Sequence, residues 1–171
     1  MDENRKRKTR WLLRAFVAAA AAAIVIGGAI FMISGRFHKK LDSFDRLELT
    51  ISGMRVTNRF ELVRAGSDAE LTLYEVVYIN GEAQDEVVGR ARMDYDSALA
   101  ILNDCRVASW DGFEGRHPHG VLDGEMFTFE LFSDGKKTVY AHGSENFPRG
   151  YSELRSAFYE LLENASSASE G

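Results

Sequence analysis

Leu71–Ile79 reads LTLYEVVYI, Asn80–Gly81 follows, and Glu86–Met93 reads EVVGRARM. The first run is dense in β-branched and aromatic residues, which fit a pleated, half-buried surface. Asn-Gly is the dipeptide best suited to the positive φ angles of a tight hairpin turn. The two runs are therefore expected to fold back on each other as a β-hairpin. Glu82–Asp85 is also polar, which predicts a turn longer than two residues.

Working outward from this hairpin, Leu47, Leu49 and Ile51 alternate with polar neighbours before Gly53, and Phe60, Leu62 and Arg64 keep the same period. A period of two is that of a strand with one buried face. Downstream the period changes. Asp94 or Asp96 can cap a helix in which Ala98, Ile101, Leu102 and Cys105 fall at i, i+3, i+4 and i+7. Cys105 lies on that apolar stripe and reads as a small buried hydrophobe rather than a reactive thiol. A second hairpin is expected from Glu125–Phe132, the turn Ser133–Asp134–Gly135, and Lys136–His142. The last element is a helix over Arg149–Glu163, with Pro148 just ahead of it and Tyr151, Leu154, Phe158, Leu161 and Leu162 as its apolar stripe. Several strands, a helix, two strands and a helix predict an α+β fold: an antiparallel sheet with two helices packed on one face.

The chain has 171 residues, 45% of them apolar, with two prolines and one cysteine. That composition excludes a disordered chain, an internal disulfide framework and any zinc site built on two thiolates. The net charge of −5 hides a split. Residues 1–40 carry nine Lys/Arg against two acids, whereas residues 41–171 carry twelve against twenty-four. The acidic part repels nucleic-acid backbones, so nucleic acid is excluded as a partner.

Ala15–Ile33 (AFVAAAAAAIVIGGAIFMI) holds nineteen residues without a charge. At ~1.5 Å per helical residue it spans roughly 28 Å, about the thickness of a bilayer core. Six basic residues precede it and three follow, which predicts an amino terminus in the cytoplasm and the rest outside. A cleavable signal peptide, cut near Gly27-Gly28-Ala29, is the competing reading, but the apolar run continues through Ile33. No cysteine stands directly after the run, so a bacterial lipoprotein anchor is excluded. Ala19, Ala23 and Gly27 form a small-xxx-small row of the kind that packs two such helices, although an alanine-rich stretch produces that spacing on its own. The expected organisation is a short basic cytoplasmic segment (1–14), a single transmembrane helix (15–33), a juxtamembrane linker (34–45), an extracytoplasmic α+β domain (46–164) and a flexible tail (165–171).

Trp110-Asp111-Gly112-Phe113, Leu122-Asp123-Gly124, Phe127-Thr128-Phe129-Glu130 and Gly143-Ser144-Glu145-Asn146-Phe147-Pro148 together look like a unit that recurs among other proteins. Over roughly Tyr95–Leu162 the chain resembles an uncharacterised domain of exported or membrane-anchored proteins of Gram-positive anaerobic bacteria. The resemblance implies an α+β fold and a bacterial cell-surface address. It brings no catalytic residue, and the amino-terminal strands fall outside it.

Three sets of residues invite a chemical reading. His117 and His119 alternate along an extended segment and can face one metal ion, with His142 as a third ligand. The plainer account is a solvated loop that Pro118 holds extended. Trp110 and Phe113 flank the turn pair Asp111–Gly112 and can form an aromatic platform for a peptide or glycan; equally, both rings can fold onto the sheet. Asn146 and Phe147 precede the last helix, where they can contact a ligand or simply cap and staple the helix start. The sequence has no G-x-S-x-G, no phosphate-binding glycine loop and no nameable carboxylate pair. The expectation is a non-catalytic, single-pass protein without cofactor, whose outward domain binds another envelope protein or a ligand. The alternative is a metal-dependent envelope enzyme using His117, His119 and His142.

Overall fold

The computed structural model describes residues 39–53, 56–79, 82–121 and 123–169. The expected basic segment, the transmembrane helix, the start of the linker and the Asn80–Gly81 turn lie outside these residues. Among the described residues no helix is long and apolar enough to cross a membrane.

Seven strands and two helices follow one another as β1 (Arg46–Ser52), β2 (Thr57–Ala65), β3 (Asp68–Ile79), β4 (Glu82–Asp94), α1 (Tyr95–Asp104), a 3-10 turn (Val107–Ser109), β5 (Phe113–Gly115), β6 (Met126–Ser133), β7 (Lys136–Ser144) and α2 (Tyr151–Ser169). They build one sheet in the order β4-β3-β2-β1-β6-β7-β5. Every pairing is antiparallel except that of β5, which runs parallel to β7.

The alternation seen in the sequence decides which face of the sheet is buried. Leu47 on β1 lies between Leu62 on β2 and Leu131 on β6, and Leu49 lies between Phe60 and Phe129. All six side chains are at most 1% exposed. Ala98 and Leu102 of α1 and Tyr151, Leu154, Phe158 and Leu162 of α2 join the same core, so both helices cover this face. Burying each large apolar side chain contributes about 1.5–3 kcal/mol. The intervening residues form the open face, laced by ion pairs such as Arg46–Glu61 at 2.7 Å and Lys137–Glu130 at 2.6 Å.

Local chemistry sets the element ends. The Asp94 carboxylate accepts from the Ser97 amide at 2.9 Å and starts α1. Asp134 and Gly135 have φ of 51° and 68°, the paired positive values that let β6 turn straight into β7.

The structure departs from expectation at four places. Glu82–Asp85 is strand, paired up to Ile79↔Glu82, because an outermost strand needs no apolar face at its exposed end. The segment after Trp110 contains a strand, β5, which is too short to show a period. The folded unit starts ahead of Arg46: Phe44 is fully buried and stacks on Tyr95 at 4.9 Å, with its amide donating to the Tyr95 hydroxyl at 2.8 Å. Finally, α2 runs on through residues 165–169, expected as a tail, and Ala165 packs against the core one turn beyond Leu161 and Leu162.

Candidate functional site

Trp110 follows the 3-10 turn and points inward rather than out. It is 1% exposed, meets Phe129 edge-on at 4.9 Å between ring centroids, and donates its indole N–H to the Arg149 carbonyl at 2.9 Å. A ring enclosed in this way cannot present a face to a ligand, so the aromatic-platform reading does not hold for Trp110. Asp111 stays exposed and its carboxylate accepts from the Tyr140 amide at 3.2 Å, fixing the turn to β7. Phe113 is half-buried on β5, 6.2 Å from Phe127.

Phe147 stacks on Tyr151 at 4.5 Å with the ring planes 14° apart, and also meets Phe127 at 5.7 Å. It therefore staples the start of α2. Asn146 is exposed, and its backbone carbonyl crosses closely over β5 and β7. A Cβ on Gly115 would fall 2.1 Å from that oxygen, and one on Gly143 would fall 2.4 Å from it. The two glycines are what allow the chain to cross there.

The three histidines do not act together. Both nitrogens of His117 are engaged, Nδ1 with the Ser144 hydroxyl and Nε2 with the Val121 carbonyl, each at 2.7 Å. His119 is exposed in the following turn. His142 lies on β7 with its ring 5.6 Å from Tyr140, and its Nδ1 is buried without a hydrogen-bond partner. Among the described residues no three His, Cys, Asp or Glu side chains are grouped so as to hold a metal ion. The metal-dependent alternative has no geometric basis in these residues.

A different cluster forms where α2 passes the mouth of the sheet. The Glu125 carboxylate accepts from the Tyr151 hydroxyl at 2.9 Å and from the Arg155 guanidinium at 3.0 and 2.8 Å. Its backbone amide donates to Glu145. Burial, reinforced by the Glu125 carboxylate, pushes the Tyr151 phenol far above its ordinary range. Alongside lies a cleft of about 380 Å³ lined in part by Asn58, Tyr159, Glu160 and Glu163. Tyr159 accepts from the Asn58 amide at 3.2 Å. The Glu125–Tyr151–Arg155 groups satisfy one another, and the cluster contains no nucleophile aimed at open space. Only the i, i+4 spacing of Tyr151 and Arg155 hinted at it in the sequence, since Glu125 is remote along the chain.

No family model, no curated protein and no solved structure matches the chain. The site must therefore be judged on its own chemistry. Cys105 offers no nucleophile: burial, with Glu153 and Asp104 nearby, raises its thiol to about 11.

Proposed function

We propose that the protein is a single-pass membrane protein whose α+β unit faces outward and binds a partner or supports an envelope complex, without catalysis. The observation that carries this reading is the uncharged run Ala15–Ile33 between unequal basic flanks, a few residues ahead of a folded acidic unit. The resemblance to exported and membrane-anchored bacterial domains supports the same address. Trp110, Phe113 and Phe147 serve packing, His117 serves local hydrogen bonding, and the three histidines are not grouped, which favours a role through surfaces rather than through a reactive centre.

The test is the fate of the full chain in cells of its own kind. It should stay with the membrane through alkaline carbonate extraction. Protease added outside protoplasts should remove everything beyond residue 40. A chain released by carbonate, or one whose folded unit is protected until the cells are lysed, overturns the reading.

A further inference from the structure

β4 forms one margin of the sheet, and among the described residues no strand lies along its outer side. It is thirteen residues long, and Glu82–Val88 are all exposed. The opposite margin is treated differently: β5 has three residues, and a strand that short gives little template for pairing. β4 contains neither proline nor lysine, two residues that commonly guard such a margin.

The charges of β4 are sorted along its length. Glu82, Asp85 and Glu86 occupy its first half, and Arg90 and Arg92 its second, which ends on Asp94, the cap of α1. The register shifts between Leu73 and Tyr74, leaving Val88 as an extra residue. As a result Asp85, Arg90 and Arg92 stand on the same, open face, opposite Val76, Thr72 and Glu70 of β3. Asp85 pairs with Arg59, and Arg92 pairs with Asp68 at 2.7 Å, whereas Arg90 has no ion pair among the described residues.

We propose that β4 pairs antiparallel with β4 of a second copy of this chain, about a twofold axis near Val88. The two sheets then become one. In that arrangement the acidic half of each strand meets the basic half of the other, and Asp85 faces the arginines across the axis. A parallel in-register pairing would instead set acids against acids and arginines against arginines, which is unfavourable. Such an interface is self-complementary, as a twofold contact must be. The axis stands perpendicular to the sheet, so both helix layers lie on one side. Each copy has a cleft of about 440 Å³ between β4 and α2, lined in part by Leu73, Val88, Leu162 and Ala165. Val88, 57% exposed at its rim, is covered by the second copy. The pairing stands whether or not residues 15–33 span a membrane.

Sedimentation equilibrium of the full chain in mild detergent tests this. The wild type should be a dimer that dissociates on dilution. D85K/E86K makes the central stretch from residue 85 to residue 92 basic, and R90E/R92E makes it acidic. Each double variant should dissociate about tenfold more readily or worse, since like charges then face each other across the axis. An equimolar mixture of the two should dimerise again, which neither a misfolded variant nor contact through another surface would produce. R90E alone alters one exposed side chain that has no ion pair among the described residues, and should weaken the dimer a few-fold even if the double variants fail to fold. A monomeric wild type overturns the pairing. So does a dimer that R90E and both double variants leave intact, or a mixture of natively folded variants that stays monomeric.

Discussion

Trp110 donates its indole N–H to the Arg149 carbonyl oxygen at 2.9 Å, tying the chain after α1 to the residue that leads into α2. Thirty-nine positions of sequence separate the two, and β5, β6 and β7 all lie between them. The indole packs against Phe129 and Tyr151. Trp110→Phe removes the donor and part of the ring volume while leaving the carbonyl in place. The expected loss is about 1–3 kcal/mol, and Trp110→Ala should lose about 3–5 kcal/mol. Urea unfolding followed by circular dichroism reads both, and an unchanged midpoint for Trp110→Phe would show that the bond contributes nothing.

Gly150 has φ of +91°, and a Cβ there would fall 2.0 Å from the Cys105 carbonyl oxygen. Strain and collision with backbone act together. Gly150→Ala should therefore cost on the order of 3 kcal/mol or more. Gly120 also has positive φ, at +85°, but open space around it. Gly120→Ala should cost markedly less, and equal thermal shifts for the two variants would contradict the close approach.

Cys105 links stability to pH. In the unfolded chain its thiol ionises around 9.0, whereas burial raises it to about 11 in the fold. The folded state therefore holds the proton through a window in which the unfolded state has released it. The contribution is fully present below about 9 and is lost as the pH rises towards 11. The stability difference between wild type and Cys105→Ala should shrink by about 2 kcal/mol across that window. A difference that stays constant with pH would rule this out. Thiol alkylation of the folded chain at neutral pH should likewise be slow compared with the denatured chain.

Zinc or copper added to the full chain should leave its unfolding midpoint unmoved, because His117, His119 and His142 are not grouped around one point. Binding to the native state alone would raise the midpoint with metal concentration. A saturable rise of several degrees that disappears in H117A/H119A/H142A would show a site that forms only around the ion.

The elements read most clearly from the sequence are those fixed by neighbours along the chain. Asp94 caps α1 through its own Ser97, and Asp134–Gly135 needs only its own φ angles to close the second hairpin. Single-face burial was equally legible, because Leu47, Leu49 and Ile51 state their period within five residues. What the sequence hid depends on partners chosen across the fold. All strands share one period, so nothing local says that β1 lies between β2 and β6. Trp110 reads alike as a platform or as core until the Arg149 carbonyl is placed beside it. The polar start of β4 looks like loop because an outermost strand is freed from the apolar rule.

The position of β1 also governs the order in which the molecule can assemble. β1 to β4 form a meander whose contacts are local, and β6 and β7 close through a two-residue turn. The two parts are joined only when Arg46 meets Phe132, eighty-six residues further along. Closing so long a loop is slow, and its gain arrives late. A nascent chain that has reached Asp104 holds a complete meander whose first strand still lacks one neighbour, with the apolar stripe of α2 not yet made. Until β6 emerges, Leu47, Leu49 and Ile51 lack the neighbours that β6 supplies, and the half-made chain carries an apolar stripe open to wrong partners.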